Sequence, residues 1–360
     1  MDYRWITDAD DLSRMLASLQ EGQPLYLDTE FMRERTFWPK LALVQINTGD
    51  EVVLLDVLAF EAGELLAQLI QRHPLVMHSC SEDLEALRTY AGCLPAEIRD
   101  TQIAAALCGH DMQCSYQRLV QNLTGVELAK DVTRSDWLQR PLSPRQVEYA
   151  VLDVVHLKTL SDLLEQRLHE LGRTAWWQEE CQRLLASAAD QVPAQDVWRL
   201  VKGAGNLQGV ELARLRTLAG WRDEKARSRD LPRSFIIRDP DLLALAQRNP
   251  ASIEDLKELG LHPSLLRRDG DKLLALLEEG SRATPPAALP GPPDAAQRAL
   301  IKRLKQRVSE CAAALQLEPE VLMRRRWLES LVRHPDAIPE PLTGWRREQV
   351  ADTLVELIHE

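Results

Sequence analysis

The sequence predicts a mixed α/β sheet flanked by helices, followed by two all-helical units. Three observations carry that reading. Residues 24–57 hold three short runs rich in β-formers, PLYLDTEF, KLALVQIN and EVVLLDV, the last two separated by the turn pair Gly49-Asp50. LVMHSC at 75–80 is a short apolar run that leads straight into SEDLEAL, the strand-then-helix alternation of an α/β sheet. From about residue 100 the strand signal fades into helical periodicity, which the proline-rich stretch ATPPAALPGPPD (283–294) interrupts once.

The elements follow in order. The three runs of 24–57 read as consecutive antiparallel strands. A helical pattern covers 60–72, and LVMHSC is a buried strand feeding a helix. DTQIAAALCG, SYQRLVQNLTG and SPRQVEYAVLDVVHLKTLSDLLEQRLHEL are helical. The last opens with Ser143 as cap and Pro144 at the first position, and is predicted to run for nearly thirty residues. Residues 205–280 form helical runs punctuated at Gly220, Leu231-Pro232, Asn249-Pro250 and Gly260. The expected division is 1–204, 205–282, a linker at 283–294, and a third unit at 295–360.

With 360 residues, 45% hydrophobic and 28% charged, the chain can bury sizeable cores without staples. None of its six cysteines lies in a CxxC pair, so they read as reduced thiols. Cys108, His110 and Cys114 lack a fourth zinc ligand and read as core thiols beside a turn. There is no apolar run of ~18 residues and no basic-then-apolar start. A cytoplasmic monomer that does not engage a membrane is expected. The net charge of −11 argues against a protein that coats nucleic acid non-specifically. That charge is uneven: residues 1–200 carry −13 and residues 201–360 carry +2, which suggests separate jobs.

The front half holds the acids that could do chemistry. Asp28 and Glu30 in LYLDTEF share one strand face, because side chains alternate with a period of two. Asp83 follows another buried strand and enters the first turn of a helix, where the dipole favours it. Tyr149 and Asp153 stand one turn apart on one helix face. Each alone reads as ordinary surface or helix-end charge. Together they make four acids at one sheet edge, tolerable only if cations neutralise them. Oxygen-only donors select hard ions, Mg²⁺ or Mn²⁺, and two such ions suit in-line displacement at phosphorus.

The set resembles the DEDD exonucleases, in the branch with tyrosine in the third motif, and within them the bacterial ribonuclease D family. The residues carrying the resemblance are YLDTEFMRERTFWPKLALVQI (26–46), HSCSEDLEAL (78–87) and LAKDVTRSDWLQRPLSPRQVEYAVLDV (128–154). It implies a ribonuclease-H-like catalytic domain with 3′→5′ hydrolytic activity. Asp28, Glu30, Asp83 and Asp153 would hold two metal ions, and Tyr149 would orient the attacking water. Phe31 and Met32 would meet the terminal base and Lys130 a phosphate, while Trp137 reads as packing. The implied substrate is structured RNA, tRNA precursors above all, trimmed to 5′-mononucleotides. A DNA 3′ exonuclease and a non-catalytic RNA-binding protein are the rival readings.

Residues 205–282, through WRDEKARSRDLPRSFIIRD, resemble an HRDC domain, a helical nucleic-acid-binding module. Arg222, Lys225, Arg227, Arg229 and Arg233 cluster there, interleaved with Asp223, Glu224 and Asp230. The pattern fits a solvated mixed-charge face or a set of phosphate contacts. The third unit, by position and size, resembles a diverged second HRDC-like bundle. Its basic clusters IKRLKQRV (301–308) and MRRRWLE (323–329) fit RNA guidance and plain solubility equally.

Overall fold

A computed structural model describes residues 2–128, 135–190 and 192–359. The chain packs as two compact units. One comprises Met1–Met32, Lys40–Ala189 and Pro293–Glu360, the other Arg33–Pro39 and Asp190–Pro292.

The first unit is built on a six-stranded mixed sheet. Its strands are β1 (Arg4–Ile6), β2 (Leu25–Met32), β3 (Lys40–Asn47), β4 (Val52–Leu55), β5 (Leu75–Met77) and β6 (Ile98–Asp100). They lie in the order β1-β4-β3-β2-β5-β6. The predicted antiparallel run is β2, β3 and β4, and β5 and β6 extend it in parallel beside β2. β2 is therefore central, β3 is buried from Leu41 to Asn47, and β4 is buried and apolar throughout.

The helices α1 (Ala9–Ser18), α2 (Gly63–Arg72), α3 (Ser81–Ala91), α4 (Thr101–Leu107), α5 (Tyr116–Thr124), α6 (Pro144–Val155), α7 (Leu157–Glu170) and α8 (Thr174–Ala189) accompany the sheet. The single long helix predicted from Ser143 is two, α6 and α7, parted at His156. The Tyr116 hydroxyl explains the break. It donates to the Leu152 carbonyl at 3.0 Å and accepts the His156 N–H at 3.2 Å. In an unbroken helix those two groups would bond each other, so an inserted side chain opens the ladder at that turn.

The second unit is helical: α9 (Gly209–Arg229), α10 (Arg233–Ile236), α11 (Asp239–Arg248), α12 (Ile253–Glu258) and α13 (Pro263–Arg282). α9 ends in a left-handed residue, Asp230. Its carboxylate accepts the backbone N–H groups of Phe37 and Trp38, both at 3.0 Å. The Phe37 ring lies 4.8 and 4.9 Å from the guanidiniums of Arg227 and Arg233. Residues 33–39 interrupt the β2–β3 hairpin in sequence and pack with this helical unit. Most of the basic cluster read at 222–233 is spent inside the unit. Asp239 takes Arg222, Asp223 takes Arg227 and Arg233, and Asp269 takes Lys225.

The C-terminal helices are α14 (Ala295–Leu315), α15 (Pro319–Leu322), α16 (Arg325–Arg333) and α17 (Asp352–His359). They do not stand apart. Leu304, Val308, Leu328, Leu331 and Leu354 belong to the same core as the sheet. Polar links reinforce this: Glu318 accepts the Met112 N–H at 3.0 Å, and the Trp345 indole donates to Glu180 at 3.0 Å.

Removing these helices therefore removes part of the core that covers the sheet. Truncation after Pro292 is expected to lower the melting temperature by about 10 °C or more, several kcal/mol at ~2–4 °C each, or to cause aggregation. Thermal denaturation checks this. An unchanged melting temperature would mean that the shared apolar surface contributes nothing.

Candidate active site

β2 bears Asp28 and Glu30 on one face and Thr29 on the other. α6 lies against the face of the acids, and the buried Asn47 amide, opposite Tyr26, donates to the Val154 carbonyl at 3.1 Å. The helix starts firmly. Ser143 and Gln146 form a reciprocal capping box with Pro144 at the first position. Tyr149 and Asp153 then project one turn apart.

The result is convergence. Asp28, Glu30 and Asp153 each offer a carboxylate oxygen, and those oxygens lie within 4.8 Å of one another. Among the described residues this is the only such cluster of acids, histidines or cysteines. Burial is the first cause pushing the Glu30 carboxyl up to about 9, with the charges of Asp153 and Asp83 adding to it. Burial and then the charges of Asp83, Asp153 and Glu30 hold Asp28 well above the ordinary carboxyl range.

The fourth acid arrives differently. Asp83 sits in the first turn of α3, buried, and accepts the Thr29 hydroxyl from the other side of β2. It stands outside the close triplet, yet its charge raises both Asp28 and Glu30. Burial lifts Asp83 itself to about 6, against the Thr29 hydrogen bond. Asp100 fixes the start of α3: it accepts the Cys80 N–H at 2.9 Å and caps α4 through the N–H groups of Gln102 and Ile103.

The other sequence-based site residues are placed as follows. Tyr149 is half-buried, with the Trp137 ring 6.0 Å away. Trp137 is 4% exposed and belongs to the core. Phe31 and Met32 are half-buried on that core, just past the register shift between Glu30 and Phe31. Lys130 lies outside the described residues.

Sequence reading gave no role to Thr29, Asp100, Tyr116 or Arg140. Arg140 lies inside the quoted SDWLQRPL run. Its guanidinium takes both oxygens of Asp56 at 2.6 and 2.8 Å, the Ala42 carbonyl at 2.8 Å and the Trp137 carbonyl at 2.8 Å. That fork ties the segment entering α6 to β3 and to the end of β4. The signal was present, an arginine fixed between two motif elements, but its partner lies 84 residues away.

Comparison with known proteins bears on this geometry. The family model described as 3′-5′ exonuclease matches residues 3–169, and the HRDC domain model matches 211–277. Ribonuclease D of Pseudomonas paraeruginosa is 37% identical over 99% of this chain and 98% of its own. The chain belongs to the ribonuclease D family. Ribonuclease D of Escherichia coli is 34% identical over 100% of this chain and 99% of its own. The crystal structure of Escherichia coli RNase D, described as an exoribonuclease involved in structured RNA processing, superposes with a TM-score of 0.93 at 33% identity. It covers 100% of this chain and 99% of that one. Membership in the ribonuclease D family makes this chain a 3′→5′ exoribonuclease. The donors fit a hard divalent cation, because all are carboxylate oxygens whose mutual repulsion a cation relieves.

Two expectations follow. A carboxyl whose folded pKa is raised keeps a proton that the unfolded chain releases, so its stabilisation holds below the unfolded value. For Glu30 it is lost as pH rises from ~4.5 through about 9. The cation-free protein should therefore melt at falling temperature from about pH 5 to pH 9, and added Mn²⁺ should restore more stability the higher the pH. A flat profile in EDTA would refute the charge conflict. Separately, Arg140→Ala strands Asp56 and should cost about 3 kcal/mol or more in denaturant unfolding. A loss below ~1 kcal/mol would show the fork to be dispensable.

Proposed function

We propose that this exoribonuclease trims the 3′ ends of structured RNA, tRNA precursors above all, by a two-ion mechanism that releases 5′-mononucleotides. The observation that carries the mechanism is the meeting of Asp28, Glu30 and Asp153 from β2 and α6. Asp83, held by Thr29, is the fourth ligand. When bound, Mg²⁺ or Mn²⁺ supplies the positive charge and Lewis acidity that in-line displacement at phosphorus requires.

The chain's own residues do the rest. Asp28 and Glu30, fixed on a central strand, hold their oxygens without a search through rotamers at each turnover. Asp153 closes the cluster from the opposing helix. Tyr149, on the same helix face and backed by Trp137, orients the attacking water with its hydroxyl. Phe31 and Met32 sit just past Glu30 on β2 and pack on the terminal base. Lys130 takes a phosphate oxygen. Structured RNA is supported by the Escherichia coli relative, which is described as an exoribonuclease involved in structured RNA processing.

A 3′-labelled tRNA precursor with a short trailer, incubated with Mg²⁺ or Mn²⁺ or with EDTA, tests this reading. Labelled mononucleotide should appear only with the cation. Asp28→Asn and Asp153→Asn should reduce release by 10³-fold or more, an order-of-magnitude figure, while RNA affinity stays within about threefold. Tyr149→Phe should slow release by about 10–10²-fold. Full activity in Tyr149→Phe would remove the water-orienting role. Bound RNA with no release by the wild type would remove the enzyme reading, and equal release from single-stranded DNA would remove the preference for RNA.

A further inference from the structure

The C-terminal helices carry an arginine–tryptophan ladder that the active site does not use. Trp176 of α8 and Trp345 stack at 4.5 Å and 12°. The Arg173 guanidinium lies 5.4 Å from the Trp176 ring, and Arg346 lies 4.4 Å from Trp345 and 5.2 Å from Trp327. Arg324 and Arg326 lie 5.2 and 6.0 Å from the Trp327 ring. Four guanidiniums thus share three indoles.

Charge is not balanced there. Glu180 pairs with Arg346 through both oxygens. The buried Arg173 is met by the carbonyls of Leu107 and Leu315 rather than by a carboxylate. Glu329 is engaged by Arg325 at 2.8 Å and Arg333 at 3.7 Å, and Glu179 by Arg183 at 2.7 Å. Arg324 and Arg326 are exposed, and among the described residues neither has a carboxylate within 4.0 Å. Burial and then the charges of Arg326 and Arg346 lower the Arg324 pKa, and the charge of Glu180 opposes them.

Two further features point outward. Arg324 caps α16, and Arg325 and Arg326 open it, so the cations stand at the helix end that favours anions. A guanidinium resting on an indole also keeps its N–H edge free for a planar oxyanion. Trp327 is only 8% exposed, so the site offers charge and no stacking surface.

We propose that Arg324 and Arg326 are a backbone-phosphate contact for the RNA substrate, separate from the acid cluster. The inference rests on the exoribonuclease reading and deepens it. It assigns this face a positioning contact that reads phosphates and not bases. Such a contact matters in a chain of net charge −11, which otherwise repels RNA.

The test is binding of a tRNA precursor in EDTA, followed by fluorescence anisotropy between about 50 and 200 mM salt. Arg324→Gln with Arg326→Gln should weaken affinity about 5–20-fold at the low end. The slope of log K against log salt should become shallower by about 1.5–2, close to 0.9 per phosphate lost. Arg325→Gln, whose charge Glu329 already engages, should change the slope by less than about 0.5. Hydrolysis of a short oligonucleotide and the melting temperature should match the wild type. Wild-type affinity and slope in the double variant would overturn the patch and leave the exoribonuclease reading standing. Wild type that binds the precursor yet releases nothing with Mn²⁺ would overturn that reading, while the binding comparison still decides the patch.

Discussion

Like charges forced together out of water are the constraint on which the catalytic unit is built. Asp28, Glu30 and Asp153 hold oxygens within 4.8 Å of one another, and Asp83 adds its charge from behind β2. No strand and helix adopt that arrangement spontaneously, because each acid would gain by moving into solvent. The surrounding fold must hold the acids against their own repulsion, and it does so with apolar burial and directed hydrogen bonds. β2 cannot slip, because a one-residue shift would turn its acids to the opposite face. Its neighbours β3 and β5 pair on both sides.

The same demand explains the braces. Thr29 holds Asp83 on the far face of the strand, and Asp100 fixes the turn from which α3 departs. Arg140 ties the approach to α6 to β3 and β4, and Tyr116 decides where α6 ends. Thr29 also donates its backbone N–H to the Asp28 carboxylate. Asp100, Arg140 and Tyr116 each fix one end of an element that bears an acid, so rigidity at the centre is supplied largely from its margins.

The sheet was legible because short β-rich runs and turn pairs act locally. The three antiparallel strands, the β5–α3 alternation and the capped start of α6 all rest on signals within a few residues. The acids were legible because a strand face and a helix turn are also local geometries. What escaped depended on distance in the chain. The His156 break arises from Tyr116, forty residues earlier, and Arg140 is explained by Asp56, eighty-four residues away. The basic run at 222–233 left two readings open for a related reason: two of its counter-charges, Asp239 and Asp269, come from other helices. The C-terminal helices looked separable because a proline-rich linker precedes them, and a linker says nothing about where the next helix packs.

The placement of Arg33–Pro39 has a consequence for how the chain is made. Phe37 and Trp38 leave the ribosome 193 and 192 residues before Asp230, the side chain that receives their N–H groups. At ~5–20 residues per second that interval is on the order of 10–40 s. During it the β2–β3 hairpin can form while its tip, with two large aromatics, has no partner. The nascent chain thus carries two unpartnered aromatics next in sequence to the acids of β2 until α9 is complete.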